Sequence, residues 1–107
     1  MNEFIYLLEE VDADIKYKRY KIGYTTKSIS KRIKQLQTGN PNKLSLLQSY
    51  QATERGRRLE SMLHTHYKFK RISGEWFELD KNDIESFIEI CNQKQHIIEL
   101  MRDNPFF

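Results

Sequence analysis

The first residues of the chain alternate apolar runs with turn-forming residues in the pattern of a β-hairpin. Residues 3–8 (EFIYLL) are rich in strand-forming side chains, and residues 17–24 (YKRYKIGY) mix aromatic and aliphatic residues with basic ones. Asp12 and Asp14 lie between these runs and mark a turn. Two strand-like runs in succession predict an antiparallel hairpin.

The apolar period then changes to that of a helix. Ser28 or Ser30 can cap its first turn. The segment 38–41 (TGNP) ends it, because Gly39 suits a left-handed C-terminal position and proline cannot continue a helix. The side chains expected to face the core, at i, i+4 and i+7 spacing, are Ile29, Ile33 and Leu36.

A third strand and a second helix follow. Residues 44–50 (LSLLQSY) predict the strand. Thr53, followed by the acidic Glu54, is expected to begin the helix, which Ser73 and Gly74 would break. The side chains expected to face inward are Leu59, Met62, Leu63 and Tyr67.

The remaining residues predict a short extended piece and a last helix. Residues 76–79 (WFEL) form the extended piece, and Asp80 or Asn82 starts the helix. The polar run 92–96 is expected to weaken this helix before its apolar pattern resumes. Its apolar stripe consists of Ile84, Phe87, Ile88 and Cys91.

The order of these elements predicts an α+β fold. We expect a small three-stranded antiparallel sheet flanked by helices, with an extra C-terminal helix. The division predicted is one domain over residues 1–80 and a helical extension over residues 81–107 that packs on the same domain.

Composition places the chain among folded, intracellular proteins. The 107 residues include 38% hydrophobic and 12% aromatic residues, enough for one modest core. Cys91 is the only cysteine, which excludes an internal disulfide and favours a reducing compartment. No apolar run approaches the length of a membrane span, and Glu3 lies where a signal peptide would carry positive charge. We therefore expect a soluble protein that does not contact a membrane.

Charge is distributed unevenly along the chain. Residues 1–73 contain 15 Lys and Arg against 7 Asp and Glu, a net charge of +8, whereas the remaining residues contain 3 against 8, a net charge of −5. A basic portion of this size is typical of a polyanion partner, because lysine and arginine neutralise phosphates and release counterions. A solvated surface on a small basic protein explains the same charge equally well.

Four motifs follow Phe4-Ile5-Tyr6 in order along the chain. They are residues 20–25 (YKIGYT), 32–41 (RIKQLQTGNP), 59–67 (LESMLHTHY) and 74–77 (GEWF). Together these motifs resemble the GIY-YIG nuclease superfamily, in particular its phage- and virus-type branch. The resemblance covers about residues 3–79, and the last helix lies outside it.

This resemblance implies a divalent-metal-dependent DNA endonuclease. It implies that Tyr6 is the general base and that Glu60 binds Mg²⁺ or Mn²⁺. Lys21 occupies the register of the family's second tyrosine, where it can assist the base or hold a phosphate. The residues agree with such a site, because a hairpin can place Tyr6 and Lys21 on one sheet face. Arg32 can reach the phosphate with a planar fork of donors, and both cations can lower the pKa of Tyr6.

Further residues have both a functional and a structural interpretation. His64 lies four residues after Glu60 on the same helical face, where it can contact a phosphate, relay a proton, join the metal shell or serve structure alone. Glu75 is either a second ligand near the metal or a residue that fixes its loop. Trp76 and Phe77 are expected to anchor the core. The residues expected to contact DNA are Lys18, Tyr20, Lys31, Lys34 and Arg58.

Two functions of different class remain open, and a third is an alternative to both. The first is a DNA endonuclease or nickase, acting on branched or nicked DNA, from a virus or phage and located in the cytoplasm or nucleus of the host cell. The second is a non-catalytic nucleic-acid-binding module whose GIY-YIG-like site is degenerate. The third is a protein-interaction domain that uses the acidic C-terminal helix, which can also pair two chains into a homodimer. Whether the partner is DNA or RNA stays open.

Overall fold

The predicted hairpin forms the centre of a larger antiparallel sheet. The computed structural model describes residues 2–106. Strand β1 (Glu3–Val11) pairs with β2 (Lys18–Thr25), which confirms the hairpin. Strand β3 (Lys43–Ala52) confirms the third predicted strand, and it pairs with the other edge of β1.

The sheet has five strands within residues 2–106, so the prediction of three strands was wrong. Strand β5 (Trp76–Phe77) pairs with β2, and β4 (Arg71–Ser73) pairs with β5, giving the order β3-β1-β2-β5-β4. Between the two short strands, Gly74 adopts a positive φ of +52°, which favours glycine in this turn. The extended piece predicted over residues 76–79 contains β5. A strand of two or three residues carries no recognisable period, so the pattern predicted neither β4 nor the pairing of β5 with β2.

Three α-helices flank the sheet in the described residues. They are α1 (Ile29–Gln37), α2 (Gly56–His66) and α3 (Lys81–Leu100). Ser28 caps α1 by accepting a hydrogen bond from the Lys31 amide, as predicted. Asp80 caps α3 in a reciprocal capping box with Asp83, also as predicted.

Helix α2 begins and ends elsewhere than the sequence pattern predicts. Its N-cap is Arg55, in a left-handed conformation, and not Thr53. It ends at His66, well before Ser73 and Gly74, and a 3₁₀ turn over Lys68–Lys70 connects it to β4.

Helices α2 and α3 cover one face of the sheet and form the core with it. Alternation along β1 and β2 directs Ile5, Leu7, Tyr20 and Ile22 to this face. Phe87, Cys91 and Ile98 of α3 pack into the same core. Helix α1 lies on the opposite face, and the apolar residues of α1 are only half-buried.

Helix α3 is continuous through its polar run, contrary to the weakening that we expected. Gln95 lies in this run and is buried. Its side chain accepts a hydrogen bond from the Thr53 amide at 3.2 Å and donates one to the Glu54 carbonyl at 3.1 Å. These contacts join α3 to the loop before α2. The outer face of α3 exposes Ile97 and Leu100, and the homodimer through this helix stays a prediction.

None of the helices in residues 2–106 combines the length and apolar character needed to span a bilayer.

Candidate active site

Tyr6 lies beneath α1 on the sheet face opposite the main core. It pairs with Gly23 of β2, and its side chain is 1% exposed. A Cβ atom at position 23 would lie 2.3 Å from Cζ of Tyr6, so the ring requires glycine there. Arg32 of α1 donates a hydrogen bond from Nε to the Tyr6 hydroxyl at 3.4 Å. The hairpin and α1 thus place a phenol and a guanidinium together.

Lys21 lies on the same face as Tyr6, two residues before Gly23. Its Nζ lies 3.5 Å from a carboxylate oxygen of Glu75, and the Lys21 side chain is largely buried. The backbone fixes this contact, because the Ile22 amide donates to the Glu75 carbonyl at 3.1 Å. The β4–β5 turn therefore places Glu75 beside Lys21, on the sheet face that carries Tyr6.

Glu60 of α2 lies beside Glu75. Burial, together with the charge of Glu75, raises the pKa of Glu60 from 4.5 to about 7, while Arg57 and Lys21 oppose the shift. When protonated, Glu60 forms a hydrogen bond with the Glu75 carboxylate. Two carboxyl groups held this close cannot both ionise at low cost without a cation between them.

The same charges act on Tyr6. Burial raises the pKa of the Tyr6 phenol above its ordinary value of 10.0, and the negative charges of Glu75 and Glu60 add to the shift. Arg32 lowers the pKa through its hydrogen bond and its charge, but without reversing the net direction. Arg32 thus acts on the pKa of Tyr6 in the expected direction, but burial outweighs it, and the net shift is upward.

The structure brings five of the predicted site residues into one polar cluster. They come from five different elements of the fold or their connecting turns. Tyr6 and Glu60, which are distant in sequence, are close enough to influence each other's environment. The members of the cluster are Tyr6, Lys21, Arg32, Glu60 and Glu75.

His64 has a structural contact next to this cluster. Its Nε2–H donates to the Ile22 carbonyl at 2.9 Å, and its ring lies 5.2 Å from the Phe77 ring, centroid to centroid. This arrangement joins α2 to β2. His64 therefore positions α2, and with it Glu60.

Two clefts adjoin the cluster. The first, here called the basic cleft, has a volume of about 350 Å³ and is lined by Tyr24, Thr25, Thr26, Lys27, Arg32 and Arg57. The second, here called the Glu60 cleft, has a volume of about 360 Å³ and is lined by Glu60, Ser61, His64, Thr65, Lys68 and Arg71.

Arg57 is a residue of this site that the sequence analysis did not select. Its guanidinium carbon lies 4.7 Å from the centroid of the Tyr24 ring, and its charge lowers the pKa of Glu60. The available signal was its position three residues before Glu60, which places both on one face of α2. The basic cleft contains three cations and no carboxylate, so it is suited to a phosphate.

The residues expected to contact DNA do not form one surface. Lys31 and Lys34 are exposed on α1, and Arg58 is exposed on α2, where it lines a further cleft with Lys94. Lys18 lies at the start of β2, 3.9 Å from a carboxylate oxygen of Glu9.

Tyr20 was wrongly included among the DNA-contacting residues. Its side chain is 7% exposed and belongs to the core beneath α2 and α3. The physical reason is strand alternation, which turns Tyr20 away from the face that carries Lys21.

The donor set fits a hard divalent cation. Within residues 2–106 no group of three or more His, Cys, Asp or Glu side chains is arranged to hold a metal. Magnesium, however, keeps several waters and commonly binds through one or two carboxylates. Glu60 and Glu75 supply two adjacent carboxylates, and the charge of Glu75 adds to the effect of burial in raising the pKa of Glu60.

One comparison with known proteins identifies a family. The model of the T5orf172 domain matches residues 3–92. The match extends past residues 3–79, the range of the sequence motifs, into α3. Neither a curated protein nor a solved structure matches the chain.

Proposed function

Because the chain belongs to the T5orf172 domain family, a family of GIY-YIG-like nucleases, we propose that it is a divalent-metal-dependent endonuclease that hydrolyses phosphodiester bonds in DNA. The observation that carries this proposal is the grouping of a phenol, an amine, a guanidinium and two carboxylates in one polar cluster. Hydrolysis of a phosphodiester needs an activated water, neutralisation of the phosphoryl charge and help for the leaving oxygen. The cluster supplies groups for each need.

Arg32 and Arg57 bind the phosphate in this mechanism. Arg32 lines the basic cleft while its Nε contacts Tyr6, so a phosphate held there lies beside the phenol. Its planar guanidinium can direct donors both to a phosphoryl oxygen and to the Tyr6 oxygen. Lys21, in the place of the family's second tyrosine, holds Glu75 and contributes positive charge.

As the phenolate, Tyr6 accepts a proton from the attacking water while the oxygen of that water bonds to phosphorus and the bond from phosphorus to the leaving oxygen breaks. A proton from bulk water completes the leaving alcohol, and Glu60 and Glu75 would hold Mg²⁺ or Mn²⁺. When bound, the cation supplies positive charge that offsets the two carboxylates and the developing charge on the phosphate. The carboxylates would then no longer raise the pKa of Tyr6, and Arg32 would stabilise the phenolate form.

The test of this proposal is cleavage of plasmid, nicked and branched DNA with Mg²⁺ or Mn²⁺. We expect the wild type to cut, and Glu60→Gln and Arg32→Ala to lose at least about 100-fold in rate, as expected for groups that stabilise transition-state charge. Both variants should still bind DNA. The matched controls are Glu89→Gln and Lys81→Ala on the exposed face of α3, which should cut at the wild-type rate.

A second candidate function is supported by a specific observation. The pKa of Tyr6 is raised, which disfavours the phenolate that a general base needs. Lys21 is paired with Glu75. Both observations also suit a module that binds nucleic acid without cleaving it. If the wild type binds DNA but does not cut any of these substrates with either metal, the binding module is the correct function. Equal cutting by the wild type and both variants would contradict the assignment of the site.

A further inference from the structure

Phe69 is exposed to solvent on a turn after α2, and neighbouring contacts fix the backbone of this turn. Its side chain is 92% exposed, on the 3₁₀ turn Lys68–Lys70. The next residue fixes this turn, because Lys70 forms ion pairs with Asp80 and Asp83. The Lys70 carbonyl also accepts a hydrogen bond from the Glu78 amide at 2.7 Å. The backbone is thus held in place while the phenyl ring faces water.

One cation contacts this ring, and a second follows it two residues later in the sequence. Lys68 Nζ lies 5.0 Å from the centroid of the Phe69 ring. Lys68 and Arg71, on either side of Phe69 in sequence, both line the Glu60 cleft and are both exposed. Phe69 adjoins this cleft through Lys68. An exposed aromatic ring beside a cleft that carries cations suits single-stranded nucleic acid, since the cations follow the backbone and the ring stacks on a base.

The basic cleft and the Glu60 cleft follow one another along α2. The basic cleft contacts α2 through Arg57, whereas the Glu60 cleft extends from Glu60 to His64 and Thr65. Arg57 and His64 are separated by about 10 Å along the helix axis at the usual rise per residue. A strand whose phosphate lies at Arg57 and Arg32 would therefore continue past Glu60 towards Phe69.

We propose that the Glu60 cleft binds a single-stranded segment of the DNA substrate, with Phe69 stacked on an unpaired base and Lys68 and Arg71 contacting the neighbouring phosphates. The base must be unpaired because neighbouring pairs cover the base faces inside a duplex, and phenylalanine has no donor or acceptor for the base edges in a groove. This inference rests on the proposed function for the path of the strand past Glu60. It specifies the substrate class, which is DNA with an unpaired segment beside the cleavage point.

The test measures binding alone, with EDTA present so that no cleavage occurs. A fluorescently labelled oligothymidylate and a blunt duplex of equal length are titrated with the wild type and with Phe69→Ala. We expect Phe69→Ala to bind the single strand about tenfold more weakly, the usual effect of losing one base stack. Binding of the blunt duplex should stay within about twofold. Phe69→Trp should restore binding of the single strand.

The matched control is Phe106→Ala, which removes another exposed phenylalanine, 97% exposed, far along the chain. It should bind both probes as the wild type does. Equal binding of the single strand by Phe69→Ala and the wild type would overturn the proposal, as would an equal loss on both probes. Failure of the nuclease proposal appears instead in the cleavage rates of Glu60→Gln and Arg32→Ala, so the two outcomes are separable.

Discussion

At the scale of single residues, the proposed metal ligand Glu60 carries a cost in stability. Its pKa rises from 4.5 to about 7 on folding, because the carboxyl group is buried beside Glu75. The folded protein therefore binds this proton more tightly than the unfolded chain does. It follows that the contribution of Glu60 to stability is most favourable below pH 4.5 and is lost as the pH rises towards 7.

Replacing Glu60 by glutamine should therefore stabilise the metal-free protein. Glutamine cannot ionise, and its amide can donate to the Glu75 carboxylate. We expect Glu60→Gln to increase the free energy of unfolding by about 1–3 kcal/mol at pH 8 and by less at pH 5, in line with about 1.4 kcal/mol for each unit of pKa shift. Urea denaturation in EDTA at both pH values measures this difference. Glu89→Gln should change neither value, and a less stable Glu60→Gln protein at pH 8 would contradict the argument.

At the scale of elements, local pattern predicted the parts that depend on local chemistry. Alternation predicted the β1–β2 hairpin and placed Tyr6 and Lys21 on one face. The pairing of β4 and β5 with β2 depends on a long-range contact, and so does the position of Glu75 beside Glu60. Likewise the sign of the Tyr6 pKa shift depends on burial beneath α1, which residue spacing does not reveal.

Helix α3 shows the same dependence on distant partners. Considered alone, its polar run is expected to weaken the helix. In the fold, the Gln95 side-chain amide forms hydrogen bonds with two backbone groups of the loop before α2. That loop leads to Arg55, which adopts a left-handed conformation and is the N-cap residue of α2. Helix α2 carries Arg57 and Glu60. One buried side chain on α3 thus helps to position the site on α2.

Gln95→Ala should destabilise the protein by about 1–3 kcal/mol, because it leaves the Thr53 amide and the Glu54 carbonyl without their partners. Gln93→Ala is the matched control, since Gln93 is exposed on the same helix. Its effect should lie within about 0.5 kcal/mol of zero. Thermal and urea unfolding of both variants provide the comparison. Equal stability of the two variants would show that the loop does not depend on Gln95.

At the scale of the whole molecule, charge is separated between two parts of the structure. Residues from β2, α1 and α2, with the segments that adjoin them, line the basic cleft, and no residue of the acid-rich α3 lines either this cleft or the Glu60 cleft. The net charge of +3 therefore understates the positive charge at the basic cleft.

This separation predicts which cations contribute to DNA affinity. Each phosphate contact releases counterions, so the logarithm of the binding constant falls linearly with the logarithm of the salt concentration. We expect Arg57→Gln to reduce this slope by about 1, the value for one lost phosphate contact, on both single-stranded and duplex probes. Lys81→Gln on α3 removes the same charge but should leave the slope unchanged, although the net charge of the two variants is identical. If both variants changed the slope equally, DNA would be responding to overall charge, and the basic cleft would have no special part in binding.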